Sequence, residues 1–311
     1  MTRRYDVELI KQLYQRGINI SEWVRNDEGS SDSSLTAILY SYDAQAGSYI
    51  DALKQPNVAS VKTQMGERLA SILEDLAPAT LLDAGVGEAT TLAPVVRAMK
   101  RRPPSIWGVD LSLSRLLFAG RHLSKNGIAG VQLFTGSLDN LPLSTGSMDV
   151  VLTVHAVEPN RGRGKQILSE LLRVARRYLV MIEPSFELGS DATKSRIERH
   201  RYVKGIPDVL TELGAHIVRY ERWGIDVNPS NEAALIIVQL SESKPAVPHI
   251  LVSPVSGRPL QRLRDCLYCH DDGHAFPVVQ DIPCLVAGNA ILASKLGDFA
   301  TGAEAAEGKD A

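Results

Sequence analysis

The residues best suited to binding chemistry form a glycine-containing turn after a strongly apolar run. Asp83, Gly85 and Gly87 belong to the segment Asp-Ala-Gly-Val-Gly-Glu-Ala, and a second acid, Asp110, closes the next apolar run. Glycine lets a backbone pass close to a ligand, and a helix that begins after the turn offers unpaired N–H groups and positive potential. A carboxylate at the tip of the second strand can accept the hydroxyls of a ribose. The spacing therefore predicts a site for a nucleoside-bearing cofactor.

A second group of polar residues follows the fourth and fifth apolar runs. His155, Glu158 and Asn160 come after the fourth run, and Glu183 closes the fifth. Because ligands of open parallel sheets lie beyond the carboxyl ends of the strands, these side chains are predicted to meet at one edge of the sheet. His155 is the candidate base for an O–H or N–H nucleophile. Glu158 and Glu183 are candidates to orient that base or bind an amino group, and Asn160 to anchor an amide or hydroxyl.

A structural role is the alternative for this second group. His155 is then a hydrogen-bonded residue at a strand end, and Glu158 caps a loop. Both interpretations stay open at the level of the sequence.

Seven apolar runs form the framework that would position both groups. The early runs are separated by segments long enough for crossover helices, which parallel strands require. The stretches 92–101 and 164–177 have helical patterns, and the second carries arginines near its end. The segment between the last two runs, which includes residues 224–231, is too short for a usual crossover helix, which predicts a hairpin. The runs span residues 80–84, 106–111, 131–135, 148–156, 178–183, 215–220 and 233–240.

The glycine turn resembles motif I of class I S-adenosylmethionine-dependent methyltransferases. It has D-x-G-x-G but lacks the third glycine of the dinucleotide fingerprint, and Glu88 would repel a pyrophosphate. The resemblance implies a Rossmann-like, seven-stranded methyltransferase sheet over residues 61–242, with five parallel strands followed by an antiparallel pair. It also implies that Asp83 and the two glycines face the amino-acid end of S-adenosylmethionine, and that Asp110 and Leu111 face its ribose.

The segment after the third run resembles the adenine-binding segment of small-molecule methyltransferases, G-D-A-E-x-L-P-F. Here Ser137 replaces the usual Asp, Leu138 is the candidate backbone donor, and Asp139 stands where the Glu falls. The resemblance implies an adenine site at these residues, although the serine puts the contact to the adenine amino group in doubt. A polar loop before a strand is the alternative.

The leader, residues 1–60, is predicted to form a helical lid. The segment that contains Tyr42, Gln45 and Tyr49 resembles the N-terminal lid of ubiquinone/menaquinone-type methyltransferases, which folds over the cofactor. The two tyrosines share a face if the segment is one helix, and packing against the sheet would explain them equally well. Further along, His200 and Tyr202 are candidates to bind an anionic substrate, with a solvated basic surface as the alternative.

Residues 243–295 resemble the zinc-ribbon-like domain of tRNA-methyltransferase activator subunits. The cysteines that open that domain are Ser253 and Ser256 here, so that Cys266 and Cys269 form the only C-x-x-C pair. His270, His274 and Cys284 could complete a different ligand set. We predict a metal-free, β-rich module, preceded by a linker at Pro245 and Pro248 and followed by a flexible tail over residues 296–311.

The composition of the chain restricts the classes of function that these motifs can indicate. The chain has 311 residues, 44% of them hydrophobic, and a net charge of −2, which gives no bulk attraction to nucleic acid. There is no apolar run of about 18 to 20 residues and no signal-like N-terminus, and three cysteines do not make a disulfide framework. We therefore predict a cytoplasmic protein with no membrane partner, in which a homodimer contact is possible.

The function predicted from the sequence is methyl transfer from S-adenosylmethionine to an O or N atom of a small metabolite. An RNA methyltransferase is the alternative within enzymes, and the zinc-ribbon-like module suggests it. A catalytically silent partner subunit is the alternative outside enzymes. The polar cluster at His155, Glu158 and Glu183 favours an active enzyme.

Overall fold

A seven-stranded sheet forms the centre of the protein. The computed structural model describes residues 4–240 and 250–299. The strand order is β3-β2-β1-β4-β5-β7-β6, and β7 alone runs antiparallel to its neighbours. The predicted Rossmann-like sheet and its terminal hairpin are confirmed. The strands are β1 Thr80–Ala84, β2 Ser105–Asp110, β3 Val131–Thr135, β4 Met148–Val154, β5 Ala175–Pro184, β6 His216–Arg222 and β7 Ala233–Gln239.

Helices cover both faces of the sheet because side chains alternate along each strand. On β1, Leu81 packs in a core with Leu69 of α5, whereas Leu82 packs in another core with Leu171 of α8. The helices that follow the leader are α5 Pro56–Leu76, α6 Leu92–Ala98, α7 Leu113–Lys125, α8 Gly164–Val174, α9 Asp191–His200 and α10 Ile206–Glu212. The predicted boundary at residue 60 falls inside α5.

The prediction of a helix over residues 164–177 was wrong at its C-terminal end. The helix ends at Val174, and Ala175 already pairs with Met148 of β4. Arg176 lies in the strand, where its Nε donates to Asp149 Oδ1 at 2.6 Å. Asp149 is 1% exposed, so the ion pair supplies the charge that a buried carboxylate requires. Similarly, the helix expected over 92–101 ends at Ala98.

The leader forms four helices. Tyr42 lies in α3 and Tyr49 in α4, and the chain breaks between them at Gly47, which has a φ of +96°. A Cβ at Gly47 would lie 2.9 Å from the ring of Phe118 in α7. The condition for a shared helical face of the two tyrosines, a single helix through both, is therefore not met. The helices are α1 Val7–Gln15, α2 Ile20–Glu28, α3 Leu35–Ala44 and α4 Ser48–Ala52.

The C-terminal module is a small antiparallel sheet that covers the free edge of β3. Cys284 bridges to Thr135 of β3, and the N–H of Leu285 donates to the carbonyl of Thr135 at 3.1 Å. Phe276 and Leu285 are fully buried in the core that α8 shares with the sheet. Covering an edge strand removes its unpaired backbone groups from solvent. The module's strands are β8 Gln261–Leu263, β9 Cys266–Cys269, β10 His274–Val279, β11 Ile282–Pro283 and β12 Ile291–Leu292.

Parts of the predicted linker and tail lie outside the described residues. Pro245 and Pro248 fall in the stretch 241–249, and residues 300–311 of the tail also fall outside. Residues 296–299 are helical. Within 4–240 and 250–299, no helix combines the length and the apolar character needed to cross a membrane.

Four side chains of the module form a hydrogen-bonded cluster around Asp272. Ser253 and Ser256 donate their hydroxyls to Asp272 Oδ2 at 2.7 and 2.5 Å, and the N–H of His274 donates to Oδ1 at 3.0 Å. Cys269 Sγ lies 3.8 Å from Ser256 Oγ. Burial alone would raise the pKa of Asp272, but these hydrogen bonds outweigh it and lower the pKa to about 2.

This cluster does not fit a structural zinc ion. Such sites use a closed set of thiolates and imidazoles, whereas the cluster offers one thiol, two hydroxyls and a carboxylate that is already engaged. Cys269 lies beside Ser256, whereas Cys284 lies beside β3. In the described parts of the chain, no three His, Cys, Asp or Glu side chains are arranged to hold a metal.

Replacing Asp272 tests whether its carboxylate holds the module together. Asp272→Ala leaves the hydroxyl of Ser253, which is 1% exposed, without its acceptor. We expect the free energy of unfolding in urea to fall by about 1–3 kcal/mol, the cost of an unsatisfied buried polar group. Asp271→Ala is the matched control, because the side chain of Asp271 is 61% exposed. Equal stability of the two variants would contradict this role.

Candidate active site

The glycine turn packs directly against the turn that follows β4. Gly85 has a φ of +91°, and a Cβ added to it would lie 2.3 Å from the Cβ of Ala156, closer than atoms can approach. The N–H groups of Gly85 and Val86 both donate to the carbonyl of Val109 in β2, at 2.8 and 2.9 Å. The turn that resembles motif I is therefore fixed beside His155, at the carboxyl edge of the sheet.

A cavity of about 650 Å³ opens at this contact. Its volume lies in the range of sites that enclose small molecules. Most of the residues predicted from the sequence line it, from the turn, the lid and the strand ends. They are Tyr42, Gln45, Tyr49, Asp83, Gly85, Gly87, His155, Glu158, His200 and Tyr202.

One end of the cavity holds a carboxylate and an ammonium group. Burial raises the pKa of Asp83 to about 7, although the charge of Lys62 partly offsets this. Burial also lowers the pKa of Lys62 in α5 to about 8. Lys62 Nζ donates to the hydroxyl of Thr91 at 2.8 Å. The two groups together offer complementary charges to the ammonium and carboxylate of an amino acid.

Glu88 joins the glycine turn to the lid. Its carboxylate is 1% exposed and accepts hydrogen bonds from the backbone N–H groups of Gly47 at 3.0 Å and Ile50 at 2.9 Å. A second contact runs from the hydroxyl of Ser112 to Asp43 Oδ1 at 2.8 Å. The lid is thus held over the cavity by charge-assisted hydrogen bonds, the stronger kind.

Arg115 of α7 lies between the two lid tyrosines. Its guanidinium carbon is 5.1 Å from the ring centre of Tyr42 and 4.5 Å from that of Tyr49. Its Nε lies 3.8 Å from Glu88 Oε1. Tyr42 and Tyr49 therefore meet through this guanidinium, and Gln45 between them donates to the carbonyl of Ser41.

Asp110, the predicted ribose acceptor, accepts hydrogen bonds from the protein's own backbone. Asp110 Oδ2 accepts from the N–H of Gly87 at 3.0 Å, and Oδ1 accepts from the N–H of Ser112 at 2.9 Å. Asp110 is 8% exposed. Neither it nor Leu111 belongs to the cavity wall formed by the described residues.

The predicted adenine segment also lies outside the cavity wall of the described chain. The hydroxyl of Ser137 donates to Asp139, and Arg163 forms an ion pair with Asp139 at 2.7 Å. Leu138 packs against the core that α8 shares with the sheet. Asn140, the next residue, donates to the carbonyl of Pro254 at 2.8 Å. The segment is therefore linked to the C-terminal module.

His155, Glu158 and Asn231 form a polar network in the cavity wall. His155 Nδ1 lies 3.1 Å from Glu158 Oε2, and Asn231 Nδ2 donates to the same oxygen at 3.2 Å. Burial favours the neutral imidazole, but the hydrogen bond and charge of Glu158 outweigh it and raise the pKa of His155. His155 also has a φ of +54°, a conformation that non-glycine residues rarely adopt and that clusters at functional sites.

Glu183 and Asn160 hold the loop that carries His155 and do not line the cavity. The carboxylate of Glu183, 1% exposed, accepts from the N–H groups of residues 156–158 at 3.1 to 3.3 Å. Burial raises its pKa to about 7. Asn160 donates to the carbonyls of Ala156 and Val157. In this geometry both residues position the loop, and neither belongs to the cavity wall formed by the described residues.

Several residues in the cavity wall were missed at the level of the sequence. Lys62 and Arg115 occupy amphipathic helices, where a basic residue is more often a solvent-exposed one. Asn231 ends the short connection between β6 and β7, and its Oδ1 is buried without a partner. No local spacing signal marks these residues, since each reaches the cavity only through tertiary packing.

Comparisons with known proteins agree with this architecture. Residues 81–177 match the family model of a methyltransferase domain, and residues 244–281 match that of Trm112p-like proteins. None of the curated proteins matches the sequence significantly.

Among solved structures, the chain is similar to magnesium protoporphyrin IX methyltransferase from Synechocystis PCC 6803 with bound SAH. The identity is 14% over 76% of this chain and 100% of that chain, with a TM-score of 0.48. It is also similar to a SAM-dependent methyltransferase from Aquifex aeolicus, at 16% identity over 54% and 87% of the two chains and a TM-score of 0.39. A third similarity is to the Haloferax volcanii complex of the Trm112 methyltransferase activator with a methyltransferase, at 13% identity over 55% and 84% and a TM-score of 0.43.

The match over residues 81–177 shows a methyltransferase domain, an enzyme domain that uses S-adenosylmethionine, within this sheet. In this chain the methyltransferase domain is followed by a Trm112p-like region. The predicted recognition of both parts is confirmed.

Removing the carboxylate of Glu88 tests whether it holds the lid closed. Glu88→Ala leaves two backbone N–H groups of the lid without acceptors, so we expect faster hydrogen–deuterium exchange over residues 42–52. Asp51→Ala is the control, because Asp51 is an exposed lid carboxylate. Exchange in Glu88→Ala that is no faster than in the control would show that the lid is held by other contacts.

Proposed function

We propose that this enzyme transfers a methyl group from S-adenosylmethionine to an O or N atom of a small molecule. The observation that carries the proposal is one cavity, lined both by the glycine turn and by the His155–Glu158 pair and covered by the lid. A cofactor and its acceptor can only react when they share such a space in a fixed alignment.

The cofactor-binding residues are assigned by their chemistry. Asp83 would accept from the ammonium of the cofactor and Lys62 would donate to its carboxylate, because their opposite charges lie at the same end of the cavity. Gly85 and Gly87 line the same cavity, where their missing side chains allow Ala156 and Arg115 to pack against the turn. Asp110, Leu111, Ser137, Leu138 and Asp139 stay predictions for the nucleoside end. When bound, the cofactor supplies an electrophilic methyl group on a sulfonium.

His155 is proposed as the base that takes the proton of the acceptor. Its second ring nitrogen is not the one next to Glu158, so the pair can hold the ring while that nitrogen accepts a proton. Glu158 and Asn231 fix the ring orientation, and Glu183 fixes the loop. The lid would exclude water from the reacting atoms.

The volume of the cavity favours a small acceptor over RNA. The lid, joined to the core by Glu88 and by Ser112, covers part of this cavity and limits the size of the acceptor that it admits. The Trm112p-like region is the observation that favours RNA as the second candidate. Mass spectrometry decides between them when the enzyme and S-adenosylmethionine are offered metabolite extracts and total RNA separately. A one-methyl mass gain in RNA alone would overturn the small-molecule proposal.

A silent partner subunit is distinguished by direct binding. Isothermal titration calorimetry with S-adenosylhomocysteine is expected to show one site per chain. Absence of binding would overturn both enzyme proposals. Binding without transfer to any extract or RNA would support the silent subunit.

The pKa values of about 7 for Asp83 and about 8 for Lys62 predict a bell-shaped pH dependence of S-adenosylhomocysteine affinity. Below its pKa, Asp83 is neutral and attracts the ammonium less; above its pKa, Lys62 is neutral and attracts the carboxylate less. Calorimetry at pH values below, between and above these two pKa values checks that the affinity is highest between them. Asp83→Asn should remove the acidic limb and Lys62→Met the alkaline limb. An affinity independent of pH would contradict these assignments.

The base assignment is tested by the pH profile of methyl transfer. His155→Ala is expected to lower kcat roughly 100-fold or more and to leave S-adenosylhomocysteine affinity unchanged. Since Glu158 raises the pKa of His155, Glu158→Gln should move the rising limb of the rate to lower pH. An unchanged rate in His155→Ala would remove the base proposal, and an unmoved limb in Glu158→Gln would remove the orienting role.

A further inference from the structure

Two arginines in the cavity wall have no acidic partner. Arg25 of α2 is 7% exposed, and Arg196 of α9 lines the same cavity. Among the described residues, no carboxylate lies within ion-pair distance of either guanidinium. The third arginine of the cavity, Arg115, differs because Glu88 lies 3.8 Å from its Nε. The counter-charge that Arg115 has inside the protein is missing for Arg25 and Arg196.

The hydrogen bonds of these two arginines leave donors free for a ligand. Arg25 Nη1 donates to the hydroxyl of Ser33 at 3.1 Å. Arg196 is half-buried and has a side-chain hydrogen bond with Tyr202, but its Nε is buried without a hydrogen-bond partner. A guanidinium N–H that is removed from water without a partner raises the free energy of the fold, and a bound anion would offset that cost.

The elements that carry the two arginines are packed together. Arg201, at the end of α9, donates to the carbonyl of Ser31 in the loop after α2 at 2.9 Å. Glu22 of α2 is close enough to influence the pKa of His200 in α9. The pKa of His200 is nevertheless lowered, first by burial and then by Arg196 and Arg199, against the opposing charges of Glu158 and Glu22. The charges of Arg196 and Arg199 thus act on His200 in the same direction as its burial, whereas at Tyr202 the charge of Glu158 comes before that of Arg196.

We propose that the methyl acceptor carries an oxyanion group, a carboxylate or a phosphate, which Arg25 and Arg196 bind at the wall formed by α2 and α9. This inference rests on the proposed function, since it names the acceptor of that same cavity. The planar guanidinium matches both oxyanions through paired N–H donors. Ser33 and Tyr202 also line the cavity and add hydroxyl groups beside the two arginines. An acceptor held there would extend towards His155 and Glu158 in the same wall.

The experiment uses the full chain saturated with S-adenosylhomocysteine. Thermal unfolding is measured with benzoate, citrate or inorganic phosphate, each against chloride at equal ionic strength. We expect at least one oxyanion to raise the Tm. Arg25→Gln and Arg196→Gln should each abolish this shift. Arg199→Gln is the matched control, because Arg199 is exposed on the same helix and outside the cavity wall.

The outcomes separate the inference from the function on which it rests. Stabilisation by benzoate and citrate alone indicates a carboxylate, and stabilisation by phosphate alone indicates a phosphate. The inference is overturned if no oxyanion raises the Tm of the wild-type chain. It is also overturned if both glutamine variants show the same rise in Tm as the wild-type chain. Calorimetry with S-adenosylhomocysteine on each variant checks that the cofactor site is intact. If the wild-type chain binds no S-adenosylhomocysteine, the proposed function itself is overturned.

A second readout uses the acceptor itself. A metabolite extract is separated on an anion exchanger, and each fraction is offered to the enzyme with labelled S-adenosylmethionine. We expect label only in products of the retained fraction, with a loss of roughly tenfold or more in Arg196→Gln, the effect of losing a charged hydrogen bond. Label from the unretained fraction alone would overturn the anionic acceptor while leaving the methyltransferase proposal in place.

Discussion

The contact between Gly85 and Ala156 is the constraint on which the site depends. Only a residue without a side chain allows the two turns to approach this closely, because an added Cβ would lie 2.3 Å from that of Ala156. The first turn carries Asp83 and Gly87, and the second follows His155. Their contact places the residues proposed for the cofactor and for the proton transfer around one cavity. Neighbouring parallel strands β1 and β4 bring the turns together, and the glycine lets them meet.

Two buried glutamates stabilise this arrangement in the same way. Glu88 accepts backbone N–H groups from the lid, and Glu183 accepts them from the loop after His155. Neither carboxylate needs a catalytic role to explain its burial, since each satisfies several donors that would otherwise be unpaired. Polar residues at the strand ends therefore divide into those that hold loops and those that face the cavity. The C-terminal module holds a further loop at this edge of the sheet, because Asn140 in the segment after β3 donates a hydrogen bond to the carbonyl of Pro254.

Most of the fold could be predicted from the sequence, because periodicity determines where apolar runs become strands. The error at Val174 arose because Arg176 resembles the end of a helix, and its partner Asp149 lies 27 residues away. A shared face for Tyr42 and Tyr49 required one helix through both residues, and the chain instead breaks at Gly47 between α3 and α4. The site was predictable where a motif marked it, as at Asp83 and Gly85. Lys62, Arg115 and Arg196 were not, since helix patterns give no sign of which long side chains turn into a cavity.

The crystal structure of the complex with S-adenosylhomocysteine tests the central claim most directly. The ligand is expected to lie between the glycine turn and the lid, with its amino-acid end at Asp83 and Lys62. Its sulfur should then face the part of the cavity that His155 and Glu158 line. A ligand bound outside this cavity, or bound with its sulfur directed away from His155, would contradict the account.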